Sequence, residues 1–438
     1  MTVRPVVSVC MPSYNYGRFL PEAIESVLDQ SYEAFELLLI DNGSDDGSYE
    51  IALDYAGRDP RVRVLTHAGR ENRGVNASLN LGLAEAVGTY FGLLPADDVY
   101  LRGSLERRVA LFEREPAAAF VYGGAQFIDE AGRPTGQVGG RAPDAVLGFD
   151  RTGDLLQALL FHDFVPGAAL LTRRELLMQI GGFDEAVYFN DWYVAIRLLA
   201  RAGCVFVPGE PVVGYRLHER HRSVENRTAD RPRKFELFRS LWDISQAGDD
   251  RLREPRVRAL IALQRAVHAY RLGDVAEART AVVDAFAVDP LLREDDGYLA
   301  WWLNPCHGEW SLALDRDARR RFLRAFASPL TPVEAVLDEG SEYTRFARFL
   351  LQANGDGIAP SAAVRFAWRV LADQLEAIAR GPLPAVFVSS LLRAAVHPGV
   401  LRLRPFAKVV LSAGGFWGMA ASGRRRTASL ARQLPSPR

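Results

Sequence analysis

The sequence predicts an α/β domain with a doubly wound, mostly parallel sheet flanked by helices, followed by an all-α C-terminal region. Over residues 1–225, short apolar, β-branched segments alternate with segments of helical periodicity, as in parallel sheets with crossover helices. Polar clusters at 12–15, 41–46 and 97–98 directly follow predicted strands, where ligands bind in such sheets. Beyond about residue 230, strand-like runs become scarce and Ala, Leu and Arg recur at helical spacing.

Each element of the first region follows from its residue types. Strands are runs of apolar, often β-branched residues, and helices repeat apolar residues at every third or fourth position. The pattern predicts strands at 6–11, 35–40, 62–65 and 89–94, and helices at 20–30, 48–57 and 75–87. We expect Pro12 to end the first strand, and Pro21 suits the first turn of the helix that follows.

The change in composition and periodicity near residue 230 predicts three regions. Residues 1–228 form the sheet domain, 229–380 a helical domain, and 381–438 a basic, amphipathic C-terminal segment. Residues 256–290 read as a helical hairpin with a turn at Gly273. Such a hairpin is typical of one tetratricopeptide-type unit and equally of a plain helical pair.

Composition excludes several classes of protein. Among the 438 residues, 48% are hydrophobic and 24% charged, which excludes wholesale disorder and a collagen-like fibre. The net charge of −1 gives no reason to expect nucleic-acid binding. The charge is uneven, because no acidic residue follows Glu376 while nine cations lie between Arg393 and Arg438. Apolar and aromatic residues interleave with these cations, so 381–438 is predicted to contact an anionic membrane surface.

Cysteine usage and hydropathy predict the compartment. The three cysteines, Cys10, Cys204 and Cys306, lie far apart and form no CxxC pair, which favours free thiols in a reducing compartment. The N-terminal segment has no signal-peptide pattern, and no uncharged apolar run approaches the ~20 residues of a spanning helix. We expect a cytoplasmic protein, peripheral on the inner face of the cell membrane.

The polar clusters after the strands suggest nucleotide and metal chemistry. Tyr14, within 12–15, offers an aromatic face to a nucleobase, although the segment is also a plausible plain turn. Asp41 can accept hydrogen bonds from a base or ribose, while the Ser and Asp residues after it suit a helix N-cap. The adjacent carboxylates of Asp97 and Asp98 repel each other unless solvent or a divalent cation relieves them.

Two long segments resemble a known family. The first reads VSVCMPSYNYGRFLPEAIESVLDQSYEAFELLLIDNGSDDGS, and the second reads ENRGVNASLNLGLAEAVGTYFGLLPADD. In order and separation they are similar to the family 2 glycosyltransferases of the GT-A fold, over about residues 5–222. The resemblance implies an inverting transfer from a nucleoside-diphosphate sugar, with a UDP-sugar favoured, to a hydroxyl of a glycan or lipid-linked acceptor.

The resemblance also assigns roles to residues on the donor side. Asp41 is expected to read the base and Asp97 to contact the ribose or donor sugar, and Asp98 is the expected ligand of Mn²⁺ or Mg²⁺. His218 is a second candidate for the metal or diphosphate. Pro95 stands where many members carry a further Asp, so this metal site has fewer carboxylates. The full nucleotide-sugar set implied is Pro12, Ser13, Tyr14, Asn15, Asp41, Arg70, Asn72 and Asp97.

The acceptor half of the resemblance lies at 165–222. Its Gly-Gly-Phe-Asp-Glu segment spans 181–185, and Asp191 precedes Trp192 as in the family's acidic-Asp-Trp motif. The resemblance makes Asp191 the general base, although an Asp here also suits a helix N-cap. Asn190 replaces the commoner acidic neighbour, and the loss of that charge would lower the pKa of Asp191.

Two other functions remain open on the residues alone. A non-catalytic sugar-nucleotide-binding or scaffold protein is compatible with Pro95 and Asn190, which depart from the family pattern. A nucleotidyltransferase would also use a doubly wound sheet and paired carboxylates. It usually has a Gly-rich, basic phosphate loop near the N-terminus, whereas this chain has Pro-Ser-Tyr-Asn at 12–15.

Overall fold

The computed structural model describes residues 5–140, 154–161, 163–218, 230–247 and 250–294. The chain divides into two compact units, Met1–Val288 and Asp289–Arg438. Of the second unit, the described part holds the short helix α11 (Pro290–Glu294).

The elements of the described residues occur in the predicted alternation. The strands are β1 (Val7–Ser13), β2 (Phe35–Asp41), β3 (Val62–Thr66), β4 (Tyr90–Leu93), β5 (Val99–Tyr100), β6 (Phe120–Tyr122), β7 (Ala125–Ile128), β8 (Pro134–Gly139), β9 (Leu171–Arg173), β10 (Cys204–Phe206) and β11 (Val213–Arg216). The helices of the first unit are α1 (Leu20–Leu28), α2 (Ser48–Arg58), α3 (Val75–Glu85), α4 (Ser104–Arg114), α5 (Leu155–Leu159), α6 (Arg174–Gln179), α7 (Asn190–Leu199), α8 (Asp230–Ala247), α9 (Pro255–Arg271) and α10 (Val275–Val288).

The main sheet of the described chain has the order β3-β2-β1-β4-β9-β6-β10. Strand β1 pairs in parallel with β2 and with β4, and β2 pairs in parallel with β3. Strand β10 pairs in parallel with β6. Strand β9 runs antiparallel between β4 and β6. A smaller sheet has the order β5-β11-β7-β8. The mixed, mostly parallel sheet with flanking helices confirms the predicted fold class.

The chain changes direction across the sheet at β1. From β1 it proceeds to β2 and β3 on one side, and β4 then pairs with β1 on the other side. Ligands of open α/β sheets bind in the crevice at such a switch point, beyond the carboxyl ends of the strands. The predicted polar clusters therefore follow strands that end at this crevice.

Strand β1 continues through Pro12 to Ser13, so the expectation that Pro12 ends it is wrong. The ladder to β4 stops at the Leu94 amide, which donates to the Cys10 carbonyl at 3.0 Å. Backbone groups two residues apart face the same side of a strand, so the Pro12 nitrogen faces the side where β4 has ended. On the other side, Pro12 stays in register with Ile40 of β2. The missing N–H therefore costs no ladder hydrogen bond.

The core lies between the sheet and its helices. Strands β1 and β2 are buried along their whole length, and α3 packs on both. At this contact a Cβ on Gly82 would lie 2.4 Å from Cys10 Sγ, so the close approach of helix to strand requires glycine. Cys10 is the buried free thiol that the sequence predicts, and burial raises its pKa.

The described part of the first unit beyond residue 230 is helical, as predicted. Helices α9 and α10 form the hairpin, with Gly273 at φ +85° in the turn. Helix α8 contacts α7 through Trp192 and Phe238, whose rings cross edge to face at 5.6 Å. In the ranges that the structure describes, no helix is long and apolar enough to cross a membrane.

The boundary near 228 and the tetratricopeptide-type assignment stay predictions. The predicted contact of 381–438 with a membrane lies outside the described residues.

Candidate active site

The predicted base-reading residue, Asp41, ends β2 and is buried. Its carboxylate accepts the Ser44 backbone N–H at 3.3 Å and Arg70 Nη2 at 3.3 Å. The Arg70 guanidinium lies 3.9 Å from the centre of the Tyr49 ring and also donates to the Ser44 carbonyl at 3.2 Å. The structure thus brings together two residues that were predicted for the nucleotide site, 29 positions apart in sequence.

The segment after β1 contacts the same loop. Asn15 adopts a positive φ of 57°, its backbone N–H donates to Ser44 Oγ at 3.1 Å, and its Oδ1 accepts the Asp45 N–H at 3.0 Å. Tyr14 is 46% exposed, so its ring is accessible for stacking. The segment after β1 and the loop after β2 are therefore joined through Asn15, Ser44 and Asp45.

Residues 70–74 complete this side of the crevice. Asn72 Oδ1 accepts Asn42 Nδ2 at 2.9 Å and the Gly74 N–H at 3.0 Å. Gly43 has φ +80°, and a Cβ there would lie 2.5 Å from the Arg70 carbonyl oxygen. Asn72 thus acts through the loop that follows β2, and the two loops approach as closely as a glycine allows.

The expected N-cap after β2 takes a different form. Gly47 occupies the cap position of α2 with φ 90°. Asp46, one residue earlier, accepts the Ser48 backbone N–H at 3.0 Å through Oδ1 and the Gly17 N–H at 2.8 Å through Oδ2. Asp46 thus serves both the helix start and the loop after β1.

A buried group of four residues, which we term the carboxylate corner, follows β4 and β11. It consists of Asp97, Asp98, Arg216 and His218, each less than 9% exposed. Asp98 Oδ1 accepts the backbone N–H of Arg216 at 2.8 Å, and Asp97 Oδ2 lies 3.0 Å from His218 Nε2. The structure therefore brings the predicted metal ligands Asp98 and His218 into one cluster, with His218 bonded to Asp97.

The electrostatics of the corner depend on burial. Burial, and secondly the charge of Asp97, raise the pKa of Asp98 well above its ordinary range, while the N–H and charge of Arg216 oppose the shift. Within the described ranges, no group of three or more His, Cys, Asp or Glu is arranged to hold a metal ion. A cation at Asp98 would therefore need further ligands from substrate or water, as Mg²⁺ commonly takes.

Sequence reasoning did not assign a role to Arg216. Its side chain is fully buried, with Nε donating to the Asp97 carbonyl at 2.8 Å and Nη2 paired with Glu22 Oε2 at 2.7 Å. Nη1 donates to the carbonyls of Asp129 and Glu130 at 3.3 and 3.1 Å. The signal available in the sequence was an arginine inside an apolar strand, since a buried Arg requires partners.

The predicted base, Asp191, is the second residue of α7. The N-cap position belongs to Phe189, which makes no side-chain cap hydrogen bond, so the alternative role of Asp191 as N-cap is wrong. Asp191 is partly buried, and its Oδ1 accepts the Trp192 N–H at 2.9 Å. Burial raises the pKa of Asp191, against the opposing N–H groups of Trp192, Asp191 itself and Gly167.

Gly167 connects Asp191 to the rest of the site. A Cβ on Gly167 would lie 2.7 Å from Asp191 Oδ2, so the carboxylate lies directly against this backbone. Residues Gly167–Ala169 form a 3₁₀ turn that contacts β4 and β11. These are the strands whose ends lead into the carboxylate corner.

Two amides on α3 were also missed, the buried Asn76 and the partly buried Asn80. Asn76 Nδ2 donates to the carbonyls of Asp184 and Val187, each at 2.6 Å, and its Oδ1 accepts Asn190 Nδ2 at 2.8 Å. One turn later, Asn80 exchanges hydrogen bonds with the Phe183 backbone N–H and carbonyl at 2.9 and 2.8 Å. The signal was two Asn residues four apart on the buried face of a helix, which predicts paired amides.

Comparison with known proteins identifies a family for part of the chain. Residues 8–181 match the sequence profile described as glycosyl transferase family 2. This part of the chain belongs to glycosyl transferase family 2. The matched segment holds Asp41, Arg70, Asp97 and Asp98, while Asp191 and His218 follow it.

Relatives of this chain include uncharacterized glycosyltransferases of Rickettsia. The protein from Rickettsia typhi is 28% identical over 243 residues, which are 55% of this chain and 71% of the relative. The protein from Rickettsia felis is 31% identical over 201 residues, 44% of this chain and 32% of the relative. The chain therefore spans about a third of the length of the second relative.

Two solved structures match this chain with TM-scores below 0.5. Staphylococcus aureus TarS 1–349 in complex with UDP-GlcNAc has a TM-score of 0.48 at 14% identity, covering 84% of this chain and 90% of TarS. The mannosyltransferase PcManGT from Pyrobaculum calidifontis, in complex with GDP-Man and Mn²⁺, has a TM-score of 0.45 at 18% identity, covering 85% and 88%.

Proposed function

We propose that this family 2 chain is an inverting glycosyltransferase that uses a nucleoside-diphosphate sugar, with a UDP-sugar favoured. The acceptor is a hydroxyl of a glycan or lipid-linked molecule. One observation supports the reaction above others: Asp191 lies against Gly167 in a turn that contacts β4 and β11, the strands leading into the carboxylate corner. This contact supports placing the base near the proposed leaving-group site.

The donor would bind at the carboxyl end of β1. Tyr14 is exposed for stacking on the base, and the Asp41 carboxylate is a suitable acceptor for a base N–H or a ribose hydroxyl. Because Arg70 already contacts Asp41 and stacks on Tyr49, it is poised to remain at the rim of the base pocket. Asn72 would act indirectly, by holding the loop that follows β2.

A divalent cation fits the carboxylate corner. The buried, adjacent carboxylates of Asp97 and Asp98 repel each other, and hard oxygen ligands suit Mn²⁺ or Mg²⁺. Asp98 would be the main protein ligand, with the His218 imidazole beside it. When bound, such a cation would stabilise negative charge on the departing diphosphate.

Asp191 would act on the acceptor. As a general base it takes the proton of the attacking hydroxyl, whose oxygen forms the new bond to the anomeric carbon while the bond to the diphosphate breaks. No covalent enzyme intermediate is required. Burial raises the pKa of Asp191, and a base whose pKa lies closer to the working pH accepts a proton more readily.

The proposal is tested by donor turnover with purified full-length chain. A panel of UDP-, GDP- and dTDP-sugars is incubated with Mn²⁺ or Mg²⁺, and nucleotide release is measured. Asp191→Asn should lower turnover by about 10²–10⁴-fold with little change in nucleotide affinity, and Asp98→Asn should abolish metal-dependent nucleotide binding. Asp54→Asn, at an exposed carboxylate of α2, is the matched control. Undiminished turnover in both site variants would refute the assignment.

A non-catalytic sugar-nucleotide-binding role is the second candidate. It is favoured by Pro95 and Asn190, where acids expected from the family resemblance are absent. Tight, metal-dependent binding of a nucleotide sugar without nucleotide release, with every acceptor tried, would favour this role over transfer.

Membrane association through 381–438 remains a separate proposal, supported by the acid-free, cationic and apolar composition of that segment. It would place the chain on the inner face of the cell membrane, beside a lipid-linked acceptor. Co-sedimentation with anionic liposomes should fall on deletion of 381–438, and unchanged co-sedimentation would refute it.

A further inference from the structure

The start of α7 is held by a buried amide from another helix. Asn76, in the first turn of α3, is 5% exposed. Both hydrogens of its Nδ2 are used, one by the Asp184 carbonyl and one by the Val187 carbonyl, each at 2.6 Å. Because a primary amide has two donors and one acceptor oxygen, Oδ1 must face away from these carbonyls. It accepts Asn190 Nδ2 at 2.8 Å.

Asn190 directly precedes the proposed base in the chain. Phe189, at the N-cap position of α7, makes no side-chain cap hydrogen bond, so the usual means of fixing a helix start is absent here. The hydrogen bonds of Asn76 to Asp184, Val187 and Asn190 instead fix the segment that leads into the first turn. A side chain in the first turn, such as Asp191, moves with that segment.

The orientation of Asn76 also accounts for the residue type at 190. Its Oδ1 is an acceptor and cannot turn away without breaking two hydrogen bonds. A donor is therefore required at position 190, and the amide of Asn190 supplies it. A carboxylate there would face an acceptor oxygen in a buried setting, which is unfavourable.

The segment just before α3 adjoins the donor side. Asn72 and Arg73 bond to Asn42: Asn72 Oδ1 accepts Asn42 Nδ2 at 2.9 Å, and the Arg73 N–H donates to Asn42 Oδ1 at 2.9 Å. Asn76 follows Asn72 by four positions, just after the helix start at Val75. The segment 72–76 therefore contacts the loop after β2 at one end and the segment before Asp191 at the other.

We infer that Asn76 is a positioning residue for Asp191: it acts through Asn190 to place the carboxylate for proton abstraction, and it requires a donor at position 190. The inference rests on the proposed function, since it assigns Asp191 the role of base. It predicts that loss of Asn76 lowers kcat and leaves donor affinity largely unchanged.

The test compares Asn76→Ala with Asn80→Ala. Both remove an amide of α3 that binds the 183–190 segment, but Asn80 is only partly buried and contacts Phe183 and not Asn190. Asn76→Ala should lower kcat by at least about tenfold, because small misplacements of a catalytic group have large effects, with donor KM within about twofold of wild type. Asn80→Ala should change kcat by less than about threefold. Equal loss of kcat in the two variants would overturn the inference.

Asn190→Ala tests the inference even if Asn76→Ala does not fold. Asn190 is partly exposed, so its truncation should be tolerated, and it should reproduce the selective loss of kcat. Asn190→Asp should also lower kcat selectively, because its carboxylate would face the acceptor oxygen Oδ1 of Asn76. Wild-type kcat in both variants would overturn the inference.

Hydrogen exchange separates this inference from the proposed function, because it requires no turnover. Asn76→Ala should speed exchange of the amides at 187–193 relative to Asn80→Ala. Unchanged exchange there in Asn76→Ala would overturn the inference even if Asp191→Asn is inactive. Faster exchange together with full activity of Asp191→Asn would refute the role of Asp191 as base, and with it the positioning role.

Discussion

The backbone N–H of Arg216 donates to Asp98 Oδ1 at 2.8 Å, across 118 residues of sequence. The same residue uses its side chain to bind the Asp97 carbonyl and Glu22. A strand of the smaller sheet thus fixes the position of the carboxylates that follow β4.

Arg216→Lys should destabilise the protein by about 3 kcal/mol. A lysine ammonium cannot reach the acceptors that the planar guanidinium joins, and buried carbonyls lose their donors. Glu22→Gln is the control, because Glu22 is 53% exposed and a partly exposed pair contributes less, about 0–1 kcal/mol. Urea denaturation measures both, and an equal loss in the two variants would contradict the proposed role of Arg216.

Metal-free Asp98→Asn should be more stable than wild type at neutral pH, with a difference that shrinks toward about pH 4. The unfolded chain releases the Asp98 proton near pH 4, while burial and Asp97 hold it to higher pH in the folded state. The folded state then binds more protons, so wild-type stability falls as pH rises through this window. Thermal melts from pH 4 to 8 in chelator measure the difference, with Asp54→Asn as control.

Mn²⁺ should make wild type more stable than Asp98→Asn. A cation that binds the folded state stabilises it by mass action, so Mn²⁺ should raise the Tm of wild type and leave that of Asp98→Asn unchanged. An equal rise in both proteins would place the cation elsewhere.

Gly43→Ala should weaken nucleotide binding by at least about tenfold, as expected for a clash that displaces a binding residue. The added Cβ would lie 2.5 Å from the Arg70 carbonyl and push Arg70 away from Asp41. Gly47→Ala is a matched control, since Gly47 has φ +90° and an added methyl there would have no atom within 4 Å. Calorimetry with UDP should distinguish the two, and equal affinities would contradict the role of Arg70.

Gly167→Ala should lower kcat and spare nucleotide affinity. Its Cβ would lie 2.7 Å from Asp191 Oδ2, so the carboxylate must move. Gly57→Ala, in α2 with open space around the new methyl, should keep wild-type kcat and gain up to about 1 kcal/mol of stability. Wild-type kcat in Gly167→Ala would contradict the placement of the base.

The pH dependence of kcat/KM should have an acid limb above pH 4. Asp191 must be deprotonated to act as base, and burial raises its pKa, so activity should grow as pH rises through that raised value. Initial rates across pH 4 to 8 measure the limb, with circular dichroism to confirm that the fold persists. A profile flat down to about pH 4 would argue against a buried carboxylate as base.

Much of the donor side could be predicted from sequence because it depends on local order. Asp41 and Asp97 directly follow apolar strands, and parallel strands of a sheet place their carboxyl ends along one edge. The helices and strands of 20–93 lie within a few residues of their predicted bounds. Here periodicity, turn residues and strand propensity all agree.

The contacts that support the site could not be predicted in the same way. Asn76 meets Asn190 across 114 residues, and Arg216 meets Glu22 across 194. No local sequence pattern predicts which carbonyl a buried amide or guanidinium will hydrogen-bond, because the partner depends on how the sheets and helices pack. A polar residue on an apolar face indicates only that some partner exists.

The proline in β1 has a consequence for the interior of the domain. Pro12 is buried, and it lies beyond the last register pair of β1 with β4. An alanine at this position would bury a backbone N–H that faces no strand, and a buried donor without a partner costs free energy. Proline supplies the extended backbone without that donor.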